Sequence, residues 1–235
     1  LAQYQLTFDA EARLALARDL IAGKLAAQIR LLETAQAQRP DARKPLHDGI
    51  ATLRGLLPKL AVAMDRDVVL GLEGAGAAAH YAALTALFPP SLRFTGRNRR
   101  PPRDPVNACL SLGYTLLHFE AVRAAHGAGL DPLVGFYHEP AYGRESLACD
   151  LIEPLRPRLD GWVWGLFRER RLREHDFVED KGACLLAKDG RQTFYAGYEY
   201  WVPPLRRYLR RECYRLANEL NERAPVLPEG EDDEG

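Results

Sequence analysis

Apolar residues recur every three or four positions along much of the chain, a pattern typical of amphipathic helices. The first such stretch runs from about residue 7 to 38, and a second from about 46 to 63. A third covers 69–87 and ends before two consecutive prolines. The apolar run from Val68 to Phe88 contains Glu73 and His80, so we interpret it as a buried helix rather than a membrane span.

The middle of the chain alternates loops with helices. Residues 91–103 contain glycine, asparagine and two prolines, which predict a loop. Asp104 followed by Pro105 is typical of an N-cap and a first helical residue, and predicts a helix to about residue 126. Another helix should begin near residue 144 and kink or stop after Glu153, because Pro154 and Pro157 each lack a backbone donor.

The C-terminal third contains the one expected β element. A helix is predicted over 160–173, a small hairpin near residues 183–196, and a last helix over 203–223. The fold class is therefore mainly α, a multi-helix domain over residues 1–224 with one hairpin. The segment 225–235 is expected to be an acidic disordered tail.

Composition narrows the class of protein. The chain has 235 residues, of which 47% are hydrophobic, so it can bury a substantial core and is not globally disordered. Its 32 basic residues balance 32 acidic ones, but five acids lie in the tail, which leaves 32 against 27, or +5, without it. Arginines number 27 and lysines 5, a bias that favours an anionic partner.

The cysteines and the N-terminal residues bear on the compartment. Four cysteines occur singly in apolar surroundings without zinc-site spacing, which indicates buried free thiols in a reducing compartment. No basic and apolar leader opens the sequence. We therefore expect a cytoplasmic protein that is not associated with a membrane.

Glu73 is an acid within a stretch of small and apolar residues, with no base within one helical turn. An ionised carboxylate in such surroundings must be paired, protonated or bound to a cation. The alternative is that Glu73 reaches solvent or pairs with a distant arginine.

Asp150 and Glu153 lie three residues apart on one otherwise apolar helix. A divalent cation would explain how two acids coexist there. The alternative pairs Glu153 with Arg156 and leaves Asp150 near the start of the helix as a partner of the helix dipole.

His138 precedes Asp150 by twelve residues, on a loop that could fold back over the same helix. Glu73, His138 and Glu153 together form an oxygen and nitrogen set that suits Mn²⁺ or Mg²⁺. Sequence patterns of zinc proteases, phosphate-binding loops, serine hydrolases and di-iron bundles are missing from the sequence, which argues against those classes.

Five arginines crowd the loop before Asp104, in a segment without acids. Phosphate is a natural ligand for such a group, and we expect it to bind DNA. The alternative is a solvated surface. The five are Arg93, Arg97, Arg99, Arg100 and Arg103.

Four segments in this order resemble the Cas1 family, the CRISPR-associated endonuclease and integrase of spacer adaptation. They are GLEGAGAAAHY around Glu73, RNRRPPRDPVNACLSLGYTLL from Arg97, GFYHEP around His138, and RESLACDLIEPLRP from Arg144. The resemblance covers about residues 8–220. It implies that Glu73, His138 and Glu153 bind the metal and that Asp150 supports them.

The resemblance also implies a function and partners. The family joins the 3′ ends of a short foreign DNA to a CRISPR repeat by metal-dependent transesterification, forms homodimers, and assembles about a small companion protein, Cas2. The family's β-rich N-terminal domain is expected to be absent here, because the chain starts close to the first predicted helix, and the chain could be part of a fusion with other adaptation modules. The rival hypothesis is a non-catalytic helical subunit that binds DNA or acts as a scaffold, with its acids paired to arginines.

Overall fold

The computed structural model describes residues 2–98 and 100–223. Arg99 and the predicted tail at 225–235 lie outside the described residues. The helices are α1 (Ala2–Leu6), α2 (Ala10–Gln38), α3 (Arg43–Ala61), α4 (Arg66–Thr85), α5 (Pro105–Gly127), α6 (Ser146–Ile152), α7 (Arg156–Arg168), α8 (Lys188–Trp201) and α9 (Pro203–Arg223). Short 3₁₀ turns cover 40–42, 90–92, 153–155 and 174–176, and two strands, β1 (Phe177–Asp180) and β2 (Ala183–Leu186), form one antiparallel hairpin.

The predicted helices of the first half are confirmed. Aspartate side chains accept a backbone N–H of the first turn at three helix starts: Asp9 before α2, Asp65 before α4 and Asp104 before α5. Helices α2, α3 and α4 pack against one another, and the contact between α2 and α4 is close. A Cβ at Gly76 would lie 2.6 Å from Leu25 Cδ2, so glycine lets the two helices approach.

The predicted break after Glu153 is also present. Helix α6 ends at Ile152, Glu153 begins a 3₁₀ turn, and Pro157 lies in the first turn of α7. Proline is tolerated there because the first helical N–H groups have no partner within the helix. Asp150 and Glu153 therefore belong to different elements, although they are three residues apart.

The hairpin is shifted from its predicted place. It spans Phe177 to Leu186 rather than 183–196, and the stretch after it is helix α8. The turn residues Lys181 and Gly182 both have positive φ, at 49° and 78°, as a two-residue type I′ turn requires. The prediction took Thr193, Phe194 and Tyr195 as the second strand, but these residues lie in α8, where Phe194 and Tyr198 are buried four residues apart on one face.

Helix α4 is less buried than the sequence predicts. Its core face carries Val69, His80 and Leu84, but the small residues Gly71 and Gly74 are exposed, because glycine and alanine do not need burial. Within residues 2–98 and 100–223, no helix is long and apolar enough to cross a membrane.

The hairpin supports the arginine-rich loop at 93–103. The backbone N–H of Cys184 donates to the carbonyl of Pro102 at 2.7 Å, and Arg93 pairs with Glu179 of β1 at 3.0 Å. Segments about eighty residues apart in sequence are thus joined.

Candidate metal site and nucleic-acid interface

Glu73 and Glu153 meet at one buried cation, Lys24 of α2. The Lys24 ammonium donates to Glu73 Oε1 and, at 2.6 Å, to Glu153 Oε2. The side chains of Lys24 and Glu153 are 8% and 7% exposed, and that of Glu73 is 23% exposed. Two acids from separate elements, α4 and the turn after α6, are therefore brought to the same point.

The other oxygen of Glu153 is held by an arginine. Arg156 Nε lies 2.7 Å from Glu153 Oε1, the pairing that the sequence offered as an alternative to a metal. Burial by itself would raise the pKa of Glu153, but the charges of Arg156 and Lys24 outweigh it and lower the pKa to about 2. Glu153 is thus ionised at neutral pH.

Asp150 fixes the loop that carries His138. Its carboxylate accepts backbone N–H groups of Phe136, Tyr137 and His138 at 2.7, 3.0 and 2.9 Å. It also lies 2.6 Å from His138 Nδ1. An ionised carboxylate only accepts hydrogen bonds, so Nδ1 carries the proton and Nε2 is left as the ring nitrogen able to bind a metal ion.

Glu73, His138 and Glu153 line one cavity of about 180 Å³, together with Lys24, Arg97 and Arg156. The structure therefore brings the three side chains to one cavity. They are not drawn into a tight cluster: in the described part of the chain, no three His, Cys, Asp or Glu side chains come close enough to hold a metal ion.

The loop arginines fall into two groups. Arg97 is partly buried, donates to Asn107 Oδ1 at 2.8 Å, lies over the Tyr114 ring and lines the cavity. Arg93, Arg100 and Arg103 are exposed. Of the four loop arginines that the structure describes, Arg97 therefore belongs to the cavity wall, and the other three face solvent.

The sequence analysis missed a buried polar network at the same cavity, which Tyr81, Tyr114 and Asp160 also line. His80 Nε2 lies 2.8 Å from Asp160 Oδ2, Tyr114 donates to the other oxygen of Asp160, and the hydroxyls of Tyr81 and Tyr114 are 2.8 Å apart. Asp160 was not selected because it stands alone in the sequence. Its signal is a charged residue on the apolar face of α7, between Leu159 and Val163.

Lys24 was also missed, although its signal is similar. It lies on the buried face of α2, three residues after Ile21 and four before Gln28. A lysine on that face must find an acid in the core.

The donor set fits a divalent cation. Two carboxylates already face one positive charge, Glu153 is ionised, and His138 is held in the tautomer that frees Nε2. Divalent cations such as Mn²⁺ bind sets of carboxylate oxygens and an imidazole nitrogen, and a carboxylate behind the histidine is their usual support.

The family model described as CRISPR associated protein Cas1 matches residues 1–200. The chain belongs to the Cas1 family. It is 39% identical over 234 residues to a CRISPR-associated endonuclease Cas1 of Thermodesulfovibrio yellowstonii, covering 96% of this chain and 71% of the relative. It is 38% identical over 204 residues to a Cas4 exonuclease/Cas1 endonuclease fusion of Geobacter sulfurreducens, covering 84% of this chain and 36% of the fusion.

Solved structures show the same fold. A casposase bound to its integration product has a TM-score of 0.83 at 27% identity, covering 96% of this chain and 66% of that chain. A CAS1 protein from Thermotoga maritima has a TM-score of 0.83 at 24% identity, covering 97% of this chain and 72% of that chain, and supports the fold. The mainly α fold with one hairpin, predicted from the pattern of apolar residues, is confirmed.

Proposed function

We propose that this Cas1 chain carries the catalytic site of a metal-dependent DNA endonuclease and integrase. It joins the 3′ ends of short foreign DNA to a CRISPR repeat by transesterification. The observation that carries the proposal is the meeting of Glu73 and Glu153 at a single positive charge, in the cavity that His138 also lines.

Glu73, His138 and Glu153 would hold Mg²⁺ or Mn²⁺. The ion, when bound, polarises the scissile phosphate. Asp150 keeps the His138 ring oriented with Nδ1 protonated. Arg97 and Arg156 line the same cavity, and their guanidinium groups would contact phosphate oxygens there.

The reaction exchanges one phosphodiester for another. The 3′-hydroxyl oxygen of the incoming DNA attacks phosphorus and loses its proton. The bond from phosphorus to the leaving oxygen of the repeat strand breaks, and that oxygen takes up a proton to become a hydroxyl, so no net proton is gained or lost. The exposed arginines of the loop would hold the DNA backbone whatever its base sequence, because contacts to phosphates carry no information about the bases.

Several partners belong to the proposal. They are protospacer and repeat DNA, a second copy of the chain, the companion protein Cas2, and fused or adjacent adaptation modules. Their support is family membership together with named relatives: fusions of Cas4 with Cas1, and a Cas6-RT-Cas1–Cas2 complex with a TM-score of 0.86 at 24% identity, covering 94% of this chain and 69% of that chain.

The test combines substitution with metal titration. We expect Glu73→Gln and His138→Ala to lower Mn²⁺-dependent strand transfer by at least about 100-fold, since even supporting residues of metal sites cost 10- to 100-fold. Glu33→Gln, which removes an exposed acid of the same helix as Lys24, should leave transfer unchanged. A chelator should abolish the wild-type reaction.

Two results would contradict the proposal. Strand transfer that survives Glu73→Gln under Mn²⁺ would remove Glu73 from the site. A wild-type chain that binds DNA but neither binds Mn²⁺ nor transfers strands would support the rival, a non-catalytic subunit whose acids serve only as partners of Lys24 and Arg156.

A further inference from the structure

Lys24 is an unusual residue in this chain. All five lysines lie among the described residues, and Lys24 alone is buried. Its ammonium contacts both Glu73 Oε1 and Glu153 Oε2. While it stays there, its positive charge occupies the point at which the two acids meet and repels a second cation, so Lys24 and a metal ion compete for the same carboxylates.

A second polar residue, Gln28, lies one helical turn after Lys24 on α2. Gln28 is 2% exposed and lines the same cavity, and its Oε1 is buried without a hydrogen-bond partner in the part of the chain that the structure describes. Residues four apart on a helix are surface neighbours, about 5–6 Å between Cβ atoms. An unpaired buried acceptor therefore lies within reach of the lysine side chain.

We propose that Lys24 is an exchangeable counter-cation with two positions. In the metal-free protein its ammonium holds Glu73 and Glu153 together, and when a divalent cation binds it moves to Gln28 Oε1. This inference rests on the proposed function, because it requires a metal ion at those acids.

Lysine suits such a role and Arg156 does not. An ammonium is a single charge at the end of a flexible four-carbon chain, whereas a guanidinium is a rigid fork. Arg156 binds the other oxygen of Glu153 and lies 4.7 Å from the centroid of the Tyr114 ring, which restrains it. Arg156 thus stays in place as a support while Lys24 exchanges.

The two positions make opposite predictions for metal affinity. Lys24→Met removes the competitor, so we expect Mn²⁺ to bind at least about fivefold more tightly, the low end of typical coupling between sites. Gln28→Leu removes the second position, so Mn²⁺ should bind about fivefold more weakly. Calorimetric titration of the whole chain with Mn²⁺ measures both.

Thermal unfolding supplies a second readout. Without metal, Lys24→Met should melt at a lower temperature because the two acids repel, and Mn²⁺ should raise its melting temperature more than that of wild type. Lys59→Met, the same change at an exposed position of α3, should alter neither measurement. If Lys24→Met does not fold, Lys24→Gln is measured instead, with the same expected direction.

The outcomes separate the two proposals. Mn²⁺ binding that depends on Glu73 but is unchanged or weakened by both Lys24 variants would overturn the counter-cation and leave the proposed function standing. A wild-type chain that does not bind Mn²⁺ would overturn both. Unchanged affinity in Gln28→Leu would remove the second position, and with it the two-position exchange.

Discussion

Asp150 accepts hydrogen bonds from three consecutive backbone N–H groups and from the His138 ring. No other group could replace it at low cost, because four donors would lose their partner at once. Glu153, only three residues later, contacts an entirely different set, Lys24 and Arg156. The change from α6 to a 3₁₀ turn separates the two acids.

Glu153 gives a prediction for acid stability. Its pKa in the folded chain is about 2, below the ordinary value of 4.5. The stabilisation is complete above pH 4.5 and is lost as the pH falls towards 2, about 3 kcal/mol in all. We therefore expect the free energy of unfolding of wild type, measured with urea in metal-free buffer, to fall more steeply between pH 4.5 and 2 than that of Glu153→Gln, whose amide does not titrate. Parallel curves for the two proteins would contradict it.

The site residues were partly predictable from the sequence. Glu73, Asp150 and Glu153 are predictable because acids within apolar stretches are costly and need a partner, and His138 because its loop precedes Asp150 by only twelve residues. Lys24 and Asp160 meet the same criterion, but their partners, Glu73 and Glu153 for Lys24 and His80 and Tyr114 for Asp160, lie more than forty residues away in sequence. The pairing of buried charges depends on how distant helices pack against one another. The spacing of apolar residues within one helix does not predict that packing.

At the scale of elements, helices were predicted well where they have both an apolar stripe and a capping residue. Asp104 and Pro105 mark the start of α5 to the residue. Helix α8 was missed because Ala187, its N-cap residue, makes no side-chain cap and its aromatic residues have strong strand preference. Burial of Phe194 and Tyr198 on one helical face outweighed that preference.

The loop that carries His138 gives a prediction at this scale. A Cβ at Gly135 would lie 2.7 Å from the carbonyl carbon of Ser146 and 2.8 Å from Asp150 Oδ2. Backbone cannot yield there, so Gly135→Ala should lower the free energy of unfolding by about 1–3 kcal/mol and weaken Mn²⁺ binding by displacing His138. Denaturant unfolding and Mn²⁺ titration measure the two effects.

Gly55→Ala is the matched control. Gly55 lies inside α3 with open space around it, so alanine should stabilise the helix by up to about 1 kcal/mol. A Gly135→Ala variant that is as stable as Gly55→Ala and binds Mn²⁺ like wild type would show that the loop can move away from Ser146 at no cost.

At the scale of the whole molecule, the chain spans 71% of one relative and 36% of a fused one. Fold class and family follow from that similarity, and the resemblance was already visible in four ordered segments. The arrangement of the basic side chains was harder to predict. The arginines of the loop at 93–103 were expected to act together, but Arg97 is hydrogen-bonded in the cavity wall while Arg100 and Arg103 are exposed.

This division predicts how salt affects DNA binding. Each phosphate contact removed should reduce the slope of log affinity against log salt by about 1, equally for all sequences. We expect Arg100→Ala with Arg103→Ala to weaken binding of any duplex and to flatten that slope. Arg54→Ala, at an exposed position of α3 paired with Glu33, is the control. An unchanged slope in the double variant, measured by fluorescence anisotropy, would place the phosphate contacts elsewhere.

The hydrogen bond from Cys184 to Pro102 has a consequence for synthesis. A ribosome makes the loop at 93–103 long before the hairpin at 177–186, at about 5–20 residues per second. For several seconds the basic segment therefore exists without β2, the strand that donates a hydrogen bond to it. The contacts from the hairpin to Arg93 and Pro102 form only after the hairpin has left the exit tunnel, so a chain stalled before β1 would lack both, although Asn107 could already hold Arg97.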